Sequence, residues 1–475
     1  MNLPKLTPFG RARARSQRSV ESVLRLVVRF IHQEATGGIL LLVCAVAALV
    51  WANSPWSGTY FALWQTPIAL RVGDFLLEKP LLLWINEGLM ALFFFVIGLE
   101  IKRELLVGAL ASPKRALLPL TAAVGGMLVP ALLYALLNAG EPTLRGWGIP
   151  MATDIAFSLG VLALLGARAP LSLKVFLTAL AIVDDMGAVL VIALFYSEPP
   201  AWSYLGMGAG LLLVSAALGA RGVRQPLVYA LLGFALWLAF LKSGVHTTVA
   251  GVLLAMTIPA RTRIDLPAFI ALSQRVLDEL NRAARRSWPT GVSSSRQQAA
   301  VQALELACKD VESPLQRLER ALHPWVAYFV MPLFALANAG VVLDARALQA
   351  ELHPVSLGIV LGLLVGKPLG IAGFAWLAVH LRLAALPSDL AWRHIVGVGL
   401  LGGIGFTMSL FIAQLAFPAL DGAEELGRAK VGILTGSLLA GISGWALLRT
   451  VRATAAAPAP VAAPAPPSSD PSRHP

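Results

Sequence analysis

The chain has 475 residues, of which 57% are hydrophobic and only 13% charged, and its mean hydropathy is +0.73. Such values exclude a water-soluble globular domain. A net charge of +12 would suit a nucleic-acid binder, but the Lys and Arg residues are spread over the tails and alternate loops rather than gathered on one face, which excludes that class too.

In chain order, residues 1–30 form a basic arm with Arg11, Arg13, Arg15, Arg18, Arg25 and Arg29. The arm reads as either an amphipathic helix at the anionic inner leaflet or a disordered tail. It is too long for the n-region of a signal peptide and no clean A-x-A site follows, so the first apolar run is expected to be retained as a helix. Apolar runs of spanning length, about 17–25 residues, recur near 36–52, 82–101, 117–138, 147–165, 173–196, 202–219, 226–241, 244–259, 323–342, 356–380, 393–417 and 429–449. They are continuous and rich in Leu, Ala and Val, where a membrane barrel would alternate apolar and polar residues. The expected fold is an all-α polytopic membrane protein of about twelve transmembrane helices, the first eight within 31–259 and the last four within 321–450.

Cations mark the inner side: Lys102, Arg103, Lys114 and Arg115 follow the second run, and Arg221 and Arg224 follow the sixth. Both termini are therefore expected in the cytoplasm. The loops SEPPAWS (197–203) and PALDGAEELG (418–427) are poorer in cations, and Trp51, Trp56, Trp84, Trp147, Trp202 and Trp392 fall near run ends, as interfacial anchors do. TPIALRVGDFLLEKP alternates around Gly73 and Asp74 and predicts an external β-hairpin near 66–79. Residues 260–320 form a long cytoplasmic loop with two helix-like pieces around the breaker SWPTGVSSS, and 451–475 a disordered Pro/Ala-rich tail. Cys44 and Cys308 offer no disulfide framework and no metal spacing, so both are expected to be free thiols.

The chemistry concentrates in TALAIVDDMGAVLVIALF (178–195), where Asp184 and Asp185 stand in an otherwise apolar run. Each Asp at a helix centre opposes insertion by about 2.5–3.5 kcal/mol, so a purely structural pair is costly unless water or a cation reaches it. The bland alternative is a protonated aspartate bonded to a neighbouring helix. Adjacent carboxylates repel and should exchange protons in coupled steps near physiological pH. The surrounding ligands are carboxylates, hydroxyls and carbonyls, which suit small hard cations, sodium or lithium, better than a transition metal. No cofactor is expected. If protons and one monovalent cation occupy the pair alternately, charge moves, and transport should respond to membrane potential.

Two spans are interrupted. GWGIPMATDIAFSLGVLALLG (146–166) is broken at Pro150, Thr153 and Asp154, and GVGLLGGIGFTMSLFIAQ (397–414) at Gly402, Gly403, Gly405 and Thr407. Paired interruptions point to an ion site built from freed carbonyls and helix ends, and two facing N-termini need a counter-charge, which Asp154 is placed to supply. Close helix packing is the other reading of the glycines. Lys367 in GLLVGKPLGIAGF is the basic residue deepest in a late span. It is expected either to pair with an aspartate of the 178–195 stretch or to snorkel, with Pro368 kinking its helix.

With ATDIAFSLG (152–160), ALAIVDDMGAV (179–189), LKSGVHTTVAGV (241–252), LHPWVAYFVMPLFALANAG (322–340), GKPLGI (366–371) and GGIGFTMSLFI (402–412) present in this order, the chain resembles the NhaA-type bacterial sodium/proton antiporters from about residue 32 to 452. The broken-helix rule used above was itself drawn partly from this family. The resemblance implies twelve helices with an inverted repeat and two crossing broken helices. It implies an electrogenic antiporter in the inner membrane that exchanges external protons for internal sodium or lithium and shuts down at acid pH. On the matching positions, Asp185 would be the principal sodium ligand, Asp184 the second proton-exchanging acid with Lys367 as its charge partner, and Thr153 and Asp154 members of the crossed-helix site. Glu100, Arg103 and Glu104 in LEIKREL, with His246 and Glu319, match positions tied to the pH response; His246 could equally be a core hydrogen-bonder. The family implies a homodimer joined through the external hairpin. Two positions depart from the pattern: Glu87 in WINEG stands where Asp is usual, and Arg320 where His is common.

Rival classes fit less well. A diphosphate-handling prenyltransferase needs a further aspartate about a turn away, which DDMGAVL lacks. The flanks of Asp154 and Asp185 do not match intramembrane aspartyl proteases, and a channel would present polar rings rather than titratable pairs. A potassium or proton/solute exchanger remains open on ligand types alone.

Overall fold

The computed structural model describes residues 36–73, 75–286, 295–342, 353–418 and 422–451. The basic arm at 1–30, Asp74, most of the 287–295 breaker and the tail from 452 lie outside the described residues.

Among those described, seven helices are long and apolar enough to cross a bilayer unaided: Leu81–Val107, Pro113–Leu137, Leu171–Phe195, Trp202–Ala220, Pro314–Asn338, Pro354–His380 and Ala423–Thr450. Leu132, Leu136, Leu190, Leu194, Leu213 and Leu231 point outward and are exposed. A helical bundle with its large apolar side chains turned out is built for lipid. The chain is a multi-pass membrane protein.

Both interruptions expected from sequence are breaks. Pro142–Met151 meets Ile155–Leu164 at 42°, and Trp392–Gly402 meets Phe406–Ala416 at 47°. Near the N-terminus, Thr36–Ala52 is followed by Ser57–Gln65, turned aside by 114°. Pro226–Leu241 and Thr247–Thr257 are shorter apolar helices. At 1.5 Å per residue they reach roughly 24 and 17 Å, less than the ~30 Å hydrocarbon core. The second starts late because His246 caps it, its Nδ1 accepting from Thr248 N. It ends under Lys102, whose Nζ donates to Met256 O at 2.6 Å and Ile258 O at 2.5 Å. A cation at a helix C-terminus is favourably placed against the dipole.

The hairpin is present: strands β1, Pro67–Val72, and β2, Phe75–Pro80, pair antiparallel with Ile68 opposite Lys79 and Leu70 opposite Leu77. Gly73, at φ +61°, supplies the left-handed turn residue. In the long loop, Leu266–Arg286 packs against Ser295–Val311. Arg263 N donates to Asp310 O at 3.0 Å, which ties the entry of this helical pair to its exit. Cys44 and Cys308 are free.

Pro368 does not end its helix. Gly362–Gly366 widens into a π turn just before Lys367, and Pro354–His380 runs on as one span. A proline ring collides with the carbonyl four residues back and offers no N–H; a turn bonded five residues back moves that carbonyl away. Val326–Val330 makes the same turn before Pro332. The widening lets the span continue through Pro368. Helices Pro113–Leu137 and Pro354–His380 touch backbone to backbone: a Cβ at Gly370 would lie 2.1 Å from Gly125 O. Only glycine permits so close a crossing.

Candidate functional site

The two breaks meet. Each has carbonyls that the other satisfies: Asp154 N donates to Ile404 O at 2.7 Å and Ser158 Oγ to Leu401 O at 2.8 Å, while Ser409 Oγ donates back to Ile149 O at 2.8 Å. The Asp154 carboxylate accepts from Phe157 N at 3.1 Å, capping Ile155–Leu164, and from Thr407 N at 3.2 Å on Phe406–Ala416. Thr407 Oγ1 donates to the same Oδ2. Gly405, at the N-cap of that second helix, has no side chain with which to cap it, so the acid is supplied from the other broken helix.

Helix Leu171–Phe195 brings Asp184 and Asp185 beside the breaks, 1% and 2% exposed. Asp184 Oδ2 lies 2.5 Å from Lys367 Nζ and 2.6 Å from Thr153 Oγ1, while its Oδ1 is buried without a partner. Lys367, with no exposed surface, also donates to Met151 O at 2.5 Å. Snorkelling is thereby ruled out. The Thr153 hydroxyl is also 2.9 Å from Gly402 O, so one proton faces two acceptors and favours the charged one. Thus Asp184, Thr153 and Lys367 join three separate spans through one carboxylate oxygen.

Asp185 has a different environment. Together with Thr153, Asp154, Glu100, His323 and Met408 it lines a cavity of about 80 Å³, room for several waters. At the Glu100 end, Arg103 holds three carboxylates: Glu104 at 3.2 Å, Glu319 at 3.3 Å and Glu100 at 3.7 Å. Of the residues matched to a pH response, Glu100, Arg103, Glu104 and Glu319 are therefore brought together. His246 is elsewhere, its ring 5.3 Å from that of Phe411 and its Nδ1 2.9 Å from Thr248 Oγ1.

The departures have structural accounts. Glu87 extends to Lys79 of β2 at 2.6 Å. Arg320 turns to Glu312 at 2.6 Å with its side chain 73% exposed, away from the cavity. Sequence reasoning missed His323, although its place four residues after Glu319 on one helix face was a signal. It also missed Thr407 as the partner of Asp154, and the Met151 carbonyl, for which no sequence signal exists.

The sequence profile of the family described as Na+/H+ antiporter 1 matches residues 28–448. The chain is 49% identical over 432 residues to a Na(+)/H(+) antiporter NhaA of Oleidesulfovibrio alaskensis, covering 91% of this chain and 95% of that one. It is 50% identical over 437 residues to the NhaA of Koribacter versatilis, covering 92% and 94%. It is likewise 50% identical over 420 residues to Na(+)/H(+) antiporter NhaA 2 of Syntrophotalea carbinolica, covering 88% and 95%. The resemblance drawn from the motifs is borne out along nearly the whole length, and the chain belongs to the NhaA family of Na+/H+ antiporters.

Proposed function

We propose that this chain is a secondary transporter that expels sodium or lithium from the bacterial cytoplasm in exchange for a larger number of external protons. It is electrogenic, works by alternating access and is active at neutral to alkaline pH. The observation that carries the reading is a pair of buried carboxylates with unequal surroundings: Asp184 held by Lys367 and Thr153, and Asp185 lining a largely apolar cavity into which Glu100, Thr153 and Asp154 also bring oxygen atoms. The substrate cation binds at Asp185 with Asp184 and Thr153 as further hard-oxygen ligands. For Asp184 to turn to the cation, Lys367 must release it, and the proton balance changes with the same step. Asp154 neutralises the two helix ends, so that a cation can approach them without repulsion. The Arg103 cluster, joined to the cavity through Glu100, sets the pH response.

In this reading the short helices and both bent pairs belong to a twelve-span bundle with an inverted repeat and crossing broken helices. The termini face the cytoplasm, the protein sits in the inner membrane, and the hairpin joins two copies into a homodimer. The test is reconstitution in proteoliposomes holding a proton gradient, with sodium, lithium or potassium added across a pH series and Asp185→Asn as control. Sodium and lithium should dissipate the gradient near neutral or alkaline pH in the parent alone. Gradient collapse by potassium only, or none by any cation, would overturn the proposal.

A further inference from the structure

Three side-chain amides close a ring inside the bundle. Asn86 Nδ2 donates to Gln414 Oε1, Gln414 Nε2 donates to Asn338 Oδ1, and Asn338 Nδ2 donates to Asn86 Oδ1 at 2.9 Å. These three bonds run the same way round, so each polarises the next; Asn86 Nδ2 also reaches across to Asn338 Oδ1 at 3.5 Å, and Asn338 Nδ2 also donates to Phe334 O at 2.9 Å. Asn86 and Asn338 are buried, 6% and 0% exposed. A buried amide ring of this kind is stable closed and costly half-open, because a parted amide leaves unsatisfied groups.

Its position follows from helix rise. Asn86 precedes Glu100 on the same span, a separation of about 21 Å at 1.5 Å per residue, and Asn338 follows His323 by about 22 Å. Glu100 and His323 line the Asp185 cavity, so the ring is at the opposite ends of the same helices. Gln414 lies about 10 Å beyond Thr407 along Phe406–Ala416, the half-helix whose start is bonded to Asp154. Between the ring and the site is an aromatic layer. Phe411 packs against Phe94 at 5.6 Å and Phe334 at 6.2 Å between ring centres. Each aromatic is one or two turns from an amide on its own helix: Phe94 from Asn86, Phe334 from Asn338, Phe411 from Gln414.

We propose that the Asn86–Asn338–Gln414 ring, with the Phe94–Phe334–Phe411 layer beneath it, is the outward gate of the cation pathway, closed in this conformation. The proposal rests on the transport reading above. Two of the amides stand on unbroken spans and the third on the half-helix that touches the ion site, so a displacement of Phe406–Ala416 that accompanies ion exchange parts the ring and the aromatic layer together. The sequence carries no sign of this, since the partners are 252 and 328 residues apart.

The test reads access rather than transport. In a Cys44→Ser, Cys308→Ser background, Met408→Cys serves as a reporter that lines the site cavity. A membrane-impermeant thiol reagent is applied from outside to oriented vesicles. Gln414→Leu keeps the bulk and removes the ring bonds, and it should speed labelling of the reporter about fivefold or more. An unchanged rate overturns the gate while leaving the exchange reading intact, because labelling needs no cation movement. Conversely, a parent that labels slowly yet exchanges no cation sinks the exchange reading alone. As a second variant, Asn338→Cys with Gln414→Cys is bridged by a short bifunctional thiol reagent. Bridging should abolish sodium-driven proton movement reversibly, and failure to bridge, or exchange unaffected by bridging, overturns the proposal.

Discussion

The Asp184–Lys367 pair makes a quantitative prediction. Lys367 Nζ has two acceptors, Asp184 Oδ2 and the Met151 carbonyl, each at 2.5 Å, and no solvent. Lys367→Met keeps the length of the side chain and deletes its charge. Asp184 is then left with the Thr153 hydroxyl as its only donor, and its Oδ1 already has none. Removing one member of a buried pair costs about 3–5 kcal/mol, because the other charge stays buried without compensation. Asp184→Asn should cost about the same for the mirrored reason, the ammonium keeping neutral oxygen acceptors but losing its counter-charge. Independent effects would sum to roughly 6–10 kcal/mol. The double variant instead removes both charges and forfeits mainly hydrogen bonds, about 1–3 kcal/mol, so it should be more stable than either single variant. Denaturant unfolding of the four purified proteins in one detergent, at one pH, closes this cycle. A double variant whose loss equals the sum of the single losses would refute the direct pairing.

Further predictions follow from single contacts. Thr407→Val removes the hydroxyl donor to Asp154 and should lower stability by about 1–3 kcal/mol, whereas Thr407→Ser, which keeps the donor, should melt close to the parent; equal losses would count against that bond. Gly370→Ala drives a Cβ towards Gly125 O and should destabilise by about 1–3 kcal/mol or more. Gly373→Ala, where a Cβ meets nothing within 4 Å, should be neutral or gain up to about 1 kcal/mol of helix propensity; the order of the two melting temperatures checks this. Arg103→Gln acts on a part-buried side chain, 30% exposed against partners at 14–16%, so stability should fall by about 1–3 kcal/mol. Glu100, Glu104 and Glu319 lose their shared counter-ion, and the pH profile of exchange in proteoliposomes should move. A stability loss with an unmoved profile would separate the cluster from the pH response.

The sequence was most legible where the signal is local. Continuous apolar runs announced the spans, alternation around Gly73 announced the hairpin, and Gly, Pro and Asp inside apolar runs announced both breaks. Burial of two aspartates and a lysine could be inferred because each opposes membrane insertion. Which aspartate the lysine meets could not be inferred from burial, and only the family resemblance singled out Asp184. Thr407 and Asp154 are 253 residues apart, and no periodicity in one chain reports on such a pair. The π turn before Pro368 was not legible, because a proline reveals a missing N–H but not whether neighbouring glycines can widen the turn to absorb it. The shortness of Thr247–Thr257 was hidden for a similar reason: its apolar flanks look like helix, but His246 and Lys102 close it at either end.

Asp154 carries a consequence beyond its own contacts. A helix N-terminus bears about half a positive charge, so two N-termini at one point amount to roughly one. A single carboxylate bonded to Phe157 N on one helix and Thr407 N on the other matches that sum. If each break carried its own cap, the half-helices could shift independently and the ion site would have no fixed relation to either. With one acid serving both, a shift of either half-helix leaves the other partly uncapped, so the pair has reason to move as a unit. Thr153, the neighbour of that acid, holds Asp184 at 2.6 Å, so the same rigid junction also positions a member of the carboxylate pair. On the proposed exchange reading, electrostatic matching at the breaks couples the broken helices to the Asp184 carboxylate without any wire of contacts between distant sites.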